Sequence, residues 1–151
     1  EVHAIDISPD ALAIARENAG RNGAHRIQFR LGDAFAALGE SPTAESGRFD
    51  VLVTNPPYIP SAEIATLEPE VRDYDPRIAL DGGPDGLDFY RRLAREGVHW
   101  LRRDGWLLAE FGDGQGPALA ELFTGGGWRL DAIEKDLSGR ERVLIVRPPS
   151  S

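Results

Sequence analysis

An α/β fold with a mostly parallel sheet, helices on both its faces and an antiparallel strand at one edge is what this sequence predicts. Three observations carry that reading. Short apolar runs rich in Val, Ile, Leu and Phe recur along the chain. Stretches of helical periodicity with helix-start signals separate them, and this alternation is the signature of parallel strands linked by helical crossovers. The last two apolar runs are joined only through Asp136-Leu137-Ser138-Gly139-Arg140, a hairpin-like connection that sets the antiparallel edge.

Val2 to Asp6 reads as a short buried strand. Ser8 is a good N-cap, Pro9 suits the first helical position and Asp10 complements the helix dipole. Ala11, Leu12, Ala15 and Ala19 then recur at helical spacing until Asn22-Gly23 stops the helix. Ile27, Phe29 and Leu31 alternate with polar residues in a second strand ending at Gly32-Asp33. Phe35 to Leu38 predicts a helical turn, and residues 39–48 a surface loop. Phe49 to Thr54 predicts a buried central strand, ended by Pro56 and Pro57, which lack the N–H a ladder needs. Residues 59–86 hold Pro60, Pro69, Pro76 and Pro84 and read as a long irregular connection, functional or disordered. Leu87 to Leu101 predicts a helix, Trp106 to Phe111 a buried strand after the Asp104-Gly105 turn, and Pro117 to Phe123 a short helix. Trp128 to Lys135 and Arg142 to Val146 complete the set as strands.

The totals bound the function. The chain of 151 residues is about one domain, 41% hydrophobic and 28% charged, ordinary for a soluble globular protein. No apolar run approaches the ~20 residues of a membrane helix. The absence of cysteine removes disulfides and thiolate metal sites and fits a reducing cytoplasm. A net charge of −8 disfavours a broad electrostatic grip on nucleic acid. His3, His25 and His99 are scattered, so no metal cluster is read, and there is no G-x-S-x-G elbow.

Chemistry concentrates at three strand ends, which the parallel sheet would bring to one edge. Asp6 closes the first strand, where an acid accepts from ribose hydroxyls. As a plain structural residue it would only precede the Ser8 cap. Asp33 could receive an adenine amino group, or serve only as the Asp of a Gly-Asp turn. Asn55-Pro56-Pro57-Tyr58 follows the central strand, and Pro56 holds Asn55 extended on a stiff base. An amide or exocyclic amine donates two hydrogen bonds. Asn55 Oδ1 can take one, the Pro56 carbonyl the other, and the Tyr58 ring offers a face for stacking. Methyl transfer from a sulfonium needs that orientation rather than a strong base.

Val51 to Tyr58, with Asp6-Ile7-Ser8-Pro9-Asp10-Ala11-Leu12 upstream, resembles the class I S-adenosylmethionine-dependent amino-methyltransferases, whose sheet is Rossmann-like. Leu67-Glu68-Pro69-Glu70-Val71, Asp75-Pro76, Ala79-Leu80, Gly82-Gly83, Asp85-Gly86-Leu87 and Tyr90 then follow. With Lys135 to Val143, this series is similar to the protein-(glutamine-N5) methyltransferases of peptide-chain release factors. The resemblance implies S-adenosylmethionine as donor and the glutamine amide of a Gly-Gly-Gln loop as acceptor. By position, Asp6 would hold the ribose, with Asp33 and Ala34 beside adenine. Asn55 to Tyr58 would grip the acceptor amide, Asn55 also lying near the donor, and residues 59–86 would form the substrate-side loop.

Two positions depart from the family pattern: Ala34, where relatives often carry something larger, and Asp75, where a glutamate precedes the proline. Gly112-Asp113-Gly114-Gln115-Gly116 follows a strand but reads as a turn and helix cap, not the family's glycine-rich donor loop. That loop, the first strand and an N-terminal helical domain would precede Glu1, making residues 1–151 an incomplete catalytic domain in which the strands ending at Asp6 and Thr54 each keep an unpaired apolar edge. The expectation is that they alone bind the donor weakly and are inactive by themselves. Two other readings stand beside this one: N-methylation of adenine or guanine in DNA or RNA, with a flipped base in the same site, and a non-catalytic fragment of the same fold.

Overall fold

β1 (Val2–Asp6) and β2 (Ile27–Leu31) pair in parallel, Val2 beside Ile27 and Asp6 beside Leu31. The crossover between them is α1 (Pro9–Arg21), and its start is built as the sequence demands. Ser8 Oγ accepts from the Ala11 N–H at 3.2 Å, and Pro9 takes a first-turn place that needs no donor. Leu12 is buried, and the Arg16 guanidinium lies 5.4 Å from the centre of the Phe29 ring. A 3₁₀ turn over Ala34–Leu38 closes this part of the chain. The computed structural model describes residues 1–150 in two compact units, Glu1–Ser41 and a second from Pro42 onward.

The second unit is built on a four-stranded sheet. Its strands are β3 (Phe49–Thr54), β4 (Leu101–Glu110), β5 (Arg129–Lys135) and β6 (Glu141–Arg147), in the order β3-β4-β6-β5. β3 and β4 are parallel, while β6 runs antiparallel to β4 on one side and β5 on the other. The antiparallel strand therefore lies one place in from the edge. The hairpin returns β6 into the slot beside β4 and leaves β5 outermost.

Helices α2 (Pro69–Arg72) and α3 (Arg77–Leu80) are single turns; α4 (Asp88–Glu96) and α5 (Gly116–Gly125) are longer. The helix expected to reach Leu101 stops at Glu96, followed by a 3₁₀ turn over Gly97–His99. Glycine is a poor helix former, and the Trp128 ring lies so near that a Cβ on Gly97 would be 3.3 Å from it. Leu101 is buried as the first residue of β4, opposite Phe49. The residues between Leu101 and Trp106 form a bulge, since Phe49 pairs with Leu101 and Val51 with Trp106.

The core of this unit gathers on one face of its sheet. Leu107, Ala109, Leu144 and Val146 alternate along β4 and β6 and are fully buried, with Tyr90 and Leu93 of α4 and Leu119 and Phe123 of α5. Phe123 and Trp128 meet edge to face with centroids 5.4 Å apart, and Trp128 Nε1 donates to the Ala94 carbonyl at 3.0 Å.

Among the described residues β3 pairs only with β4, which agrees with the unpaired apolar edge expected for it, but it is not the buried strand its composition suggests: Val51 and Val53 are 48% and 76% exposed. They share a face with Trp106 and Leu108, their partners in register, whereas Leu52 faces the buried side with Leu107. An apolar run without strict alternation cannot report which of its residues find cover.

Candidate functional site

Each predicted strand-end residue lies where the sequence places it along the chain. In the first unit Asp6 ends β1, and Asp33 follows β2 by two residues. The parallel register puts both at the carboxyl end of the pair, and the Gly32 N–H donates to the Asp6 carbonyl at 3.0 Å. Asp6 Oδ1 accepts from the Ser8 N–H at 2.8 Å. That bond fixes the carboxylate and leaves its exposed second oxygen to accept from outside. The structural and binding readings of Asp6 are thus compatible.

Asp33 stands at the N-cap of the 3₁₀ turn, its carbonyl accepting from the Ala36 N–H at 3.1 Å. Ala34, next to it, has φ +48°, the one positive value for a non-glycine residue among the described residues. Left-handed backbone costs an alanine about 1–2 kcal/mol, and conformations of this kind cluster at ligand sites. This strain is invisible in the sequence, where Ala34 offers only a small side chain. Acceptor carboxylates and a kinked backbone at a strand end suit the sugar and base of a nucleoside.

In the second unit, β3 delivers Asn55 to its carboxyl end, followed by buried Pro56 and half-buried Pro57 and Tyr58. The Asn55 side chain is exposed and makes no hydrogen bond within the described residues. The backbone behind it is held firmly. Gln115 Nε2 donates to the Tyr58 carbonyl at 2.9 Å, and Gln115 Oε1 accepts from the Gly112 N–H at 2.9 Å. The residues Gly112 to Gly116 form the turn and cap that opens α5, as the sequence predicts, but Gln115 reaches back across 57 positions to the motif.

Glycines make this approach possible. Gly86 has φ +76°, and a Cβ there would overlap the Tyr58 carbonyl oxygen and lie 2.6 Å from Gln115 Nε2. One on Gly112 would sit 3.0 Å from both Gln115 Oε1 and the Tyr58 ring. Tyr90 packs beneath, its hydroxyl donating to the Glu110 carbonyl at 2.6 Å. Burial pushes that hydroxyl's pKa up, with the nearby Tyr58 and Glu110 adding to the effect.

The loop after Tyr58 is ordered by its own backbone. Ile59 bridges Asp81 in parallel, the Ile59 N–H donates to the Leu80 carbonyl at 3.0 Å, and the Ser61 N–H to that of Gly83 at 2.9 Å. Ile64 and Leu80 are buried, while Tyr74 and Ile78 are exposed. Asp85 pins the loop's exit to α4, its Oδ1 accepting from the Leu87 N–H at 3.1 Å and Arg91 Nη1 at 2.9 Å.

The Arg91 guanidinium holds the Asp85 carboxyl below its usual range, against an opposing desolvation effect. A depressed carboxylate stabilises the fold above its unfolded value of 3.8 and loses that contribution as pH falls through its lower folded value. Carbon-detected NMR titration should place the Asp85 midpoint below 3.8 in the protein and closer to 3.8 in Arg91→Ala. Because both side chains are substantially exposed, the effect on stability should be within about 1 kcal/mol.

Among the described residues, no three His, Cys, Asp or Glu side chains converge as metal ligands. No helix among them is long and apolar enough to cross a membrane.

Residues 1–89 match the family model described as a methyltransferase domain. The chain belongs to that family. The methyltransferase domain is also similar to proteins named release factor glutamine methyltransferase. That of Geobacter sulfurreducens is 42% identical over 144 residues, 95% of this chain and 48% of the relative. That of Rhodospirillum rubrum is 49% identical over 143 residues, 95% of this chain and 42% of the relative. That of Cereibacter sphaeroides is 45% identical over 149 residues, 98% and 51% of the respective chains. The chain thus spans about half the length of these curated relatives. Among solved structures, the ribosomal protein L11 methylase of Lactobacillus delbrueckii subsp. bulgaricus aligns over 99% of this chain and 58% of its own. Its TM-score is 0.66 at 19% identity. A methyltransferase from Pyrococcus furiosus aligns over 99% and 64%, with TM-score 0.66 at 18% identity. At these identities the likeness is one of fold.

Proposed function

We propose that the full-length protein carrying this methyltransferase domain methylates the side-chain amide of a glutamine in the Gly-Gly-Gln loop of a peptide-chain release factor, in the cytoplasm, with S-adenosylmethionine as donor. The observation that carries the reading is the rigidly backed Asn55-Pro56-Pro57-Tyr58 turn, with its outward, unbonded Asn55 carboxamide. Relatives named for that reaction, 42–49% identical over 95% or more of this chain, narrow the acceptor.

The donor, when bound, supplies an electrophilic methyl group on a positively charged sulfur. Asp6 would take the ribose hydroxyls through its free carboxylate oxygen, and Asp33 with Ala34 would meet the adenine. On the acceptor side, Asn55 Oδ1 and the Pro56 carbonyl would each accept one N–H of the glutamine amide, while the Tyr58 ring covers its flat face. An amide nitrogen is a poor nucleophile because its lone pair is delocalised into the carbonyl. Two acceptors that draw on its N–H bonds favour the pyramidal nitrogen of the transition state. The N–C bond then forms as the C–S bond breaks, and one amide proton is lost to the medium. Residues 59–86 would be the acceptor-side loop.

The test is incubation of the full-length protein with methyl-labelled donor and a release factor, or its variant with the loop glutamine replaced by alanine. Label should enter the first and not the second. Label that persists in the variant, or that enters DNA or RNA instead, overturns the reading.

A further inference from the structure

We propose that Gln115 is a positioning residue for methyl transfer, a two-ended clamp that fixes the backbone behind Asn55. The proposal rests on the reading of Asn55 to Tyr58 as the acceptor grip. The carboxamide sits between an N–H that must donate and a carbonyl that must accept. The Gly112 N–H donates to its Oε1 and its Nε2 donates to the Tyr58 oxygen, each at 2.9 Å. Only one orientation of the amide satisfies both, and no charged side chain does so, because a carboxylate accepts but cannot donate. The space is also shaped for it: a Cβ on Gly86 or Gly112 would crowd the carboxamide at 2.6 or 3.0 Å.

The mechanical consequence follows from the prolines. Pro56 and Pro57 each have fixed φ and no N–H, so the backbone between Asn55 and Tyr58 has few torsions through which to drift. Holding the Tyr58 carbonyl therefore holds the Pro56 carbonyl and the Asn55 side chain as well. Gln115 lies at the N-cap of α5 and Gly112 follows β4, so the clamp ties the motif to the core of its own unit. It touches neither reacting group and acts through Asn55 and Pro56.

Two variants of the full-length protein separate positioning from mere structure. Gln115→Ala removes both bonds. It should lower kcat about ten- to a hundredfold, the order expected for misplacement of an orienting group, at every pH. Donor affinity, measured by calorimetry, should stay within about twofold. Gln115→Glu keeps the acceptor for Gly112 but as a carboxylate faces the Tyr58 carbonyl without a proton. Its kcat should be low at neutral pH and rise relative to the unsubstituted protein as pH is lowered, since the protonated acid can again donate.

Hydrogen–deuterium exchange reads the clamp without any turnover. The Gly112 amide should exchange at least about tenfold faster in Gln115→Ala and stay protected in Gln115→Glu, since a bond worth about 1.4 kcal/mol corresponds to a factor of ten. Unchanged Gly112 exchange in Gln115→Ala overturns the clamp. Unchanged kcat in that variant, or a Gln115→Glu profile parallel to that of Gln115→Ala, overturns its positioning role. If the unsubstituted protein methylates no release factor, the functional reading falls by itself and the exchange comparison still decides the clamp.

Discussion

Asn55→Ala is expected to lower kcat for glutamine methylation by about two to three orders of magnitude while leaving the fold intact. The first half follows from chemistry. Removing one preorganised hydrogen-bond partner of a group that changes character in the transition state costs about 10²–10³ in rate. Here the lost acceptor is also the one that aims the nitrogen lone pair. The second half follows from surroundings: the side chain is exposed and bonded to nothing within the described residues, so truncation should shift stability by no more than about 0.5 kcal/mol. Single-turnover rates with labelled donor, alongside thermal melts, measure both halves. A loss of kcat below about tenfold would remove Asn55 from the role assigned to it.

Elements were legible where their signals are local. Ser8-Pro9-Asp10 announces α1, and that helix begins at Pro9. Pro56-Pro57 announces the end of β3, which stops at Thr54. The Gly112 to Gly116 turn announces α5. Errors arose where two structures use the same pattern. Leu101 satisfies the periodicity of a helix begun at Leu87, yet it is buried equally well as the first residue of β4. Likewise, Val51-Leu52-Val53 states apolar character but not cover, and only the structure shows Val51 and Val53 exposed.

The chemistry of the site divides in the same way. Asp6, Asp33 and Asn55 could be singled out as candidates because each lies at or just past the end of a strand, and strand ends are where α/β sheets present ligand groups. Gln115 could not. It lies 57 residues from Tyr58, and at its own position it reads as an ordinary helix-opening amide. The left-handed backbone at Ala34 was hidden for a different reason, since alanine is among the residues least expected there. Gly86 did carry a signal, as part of the Asp85-Gly86-Leu87 series. A glycine in a loop is usually explained by its turn, however, and what it makes room for becomes visible only with Tyr58 and Gln115 in place.

Gly86→Ala tests that last point, and it is expected to be among the more damaging single-methyl additions in this unit. Two costs combine. At φ +76° an alanine incurs about 1–2 kcal/mol from its own backbone. The new methyl also overlaps the Tyr58 carbonyl oxygen and lies 2.6 Å from Gln115 Nε2. Neither neighbour is the free end of a flexible chain: one is backbone fixed by adjacent prolines, the other an amide bonded at both ends. Relief requires moving the motif, and overpacking of this kind adds about 1–3 kcal/mol. A total of about 2–5 kcal/mol is a large share of the roughly 5–15 kcal/mol that holds a typical domain folded. Gly114→Ala supplies the control. It has φ +80°, but its new methyl would meet nothing within 4 Å, so only the backbone cost applies there. Urea unfolding of the two variants should separate them by at least about 1 kcal/mol, the lower end of the overpacking cost. Because a shifted Tyr58 carbonyl also releases Gln115, Gly86→Ala should lose kcat in any fraction that stays folded, whereas Gly114→Ala should keep it. Equal destabilisation in the two would mean that backbone conformation alone explains Gly86 and that the motif has room to spare.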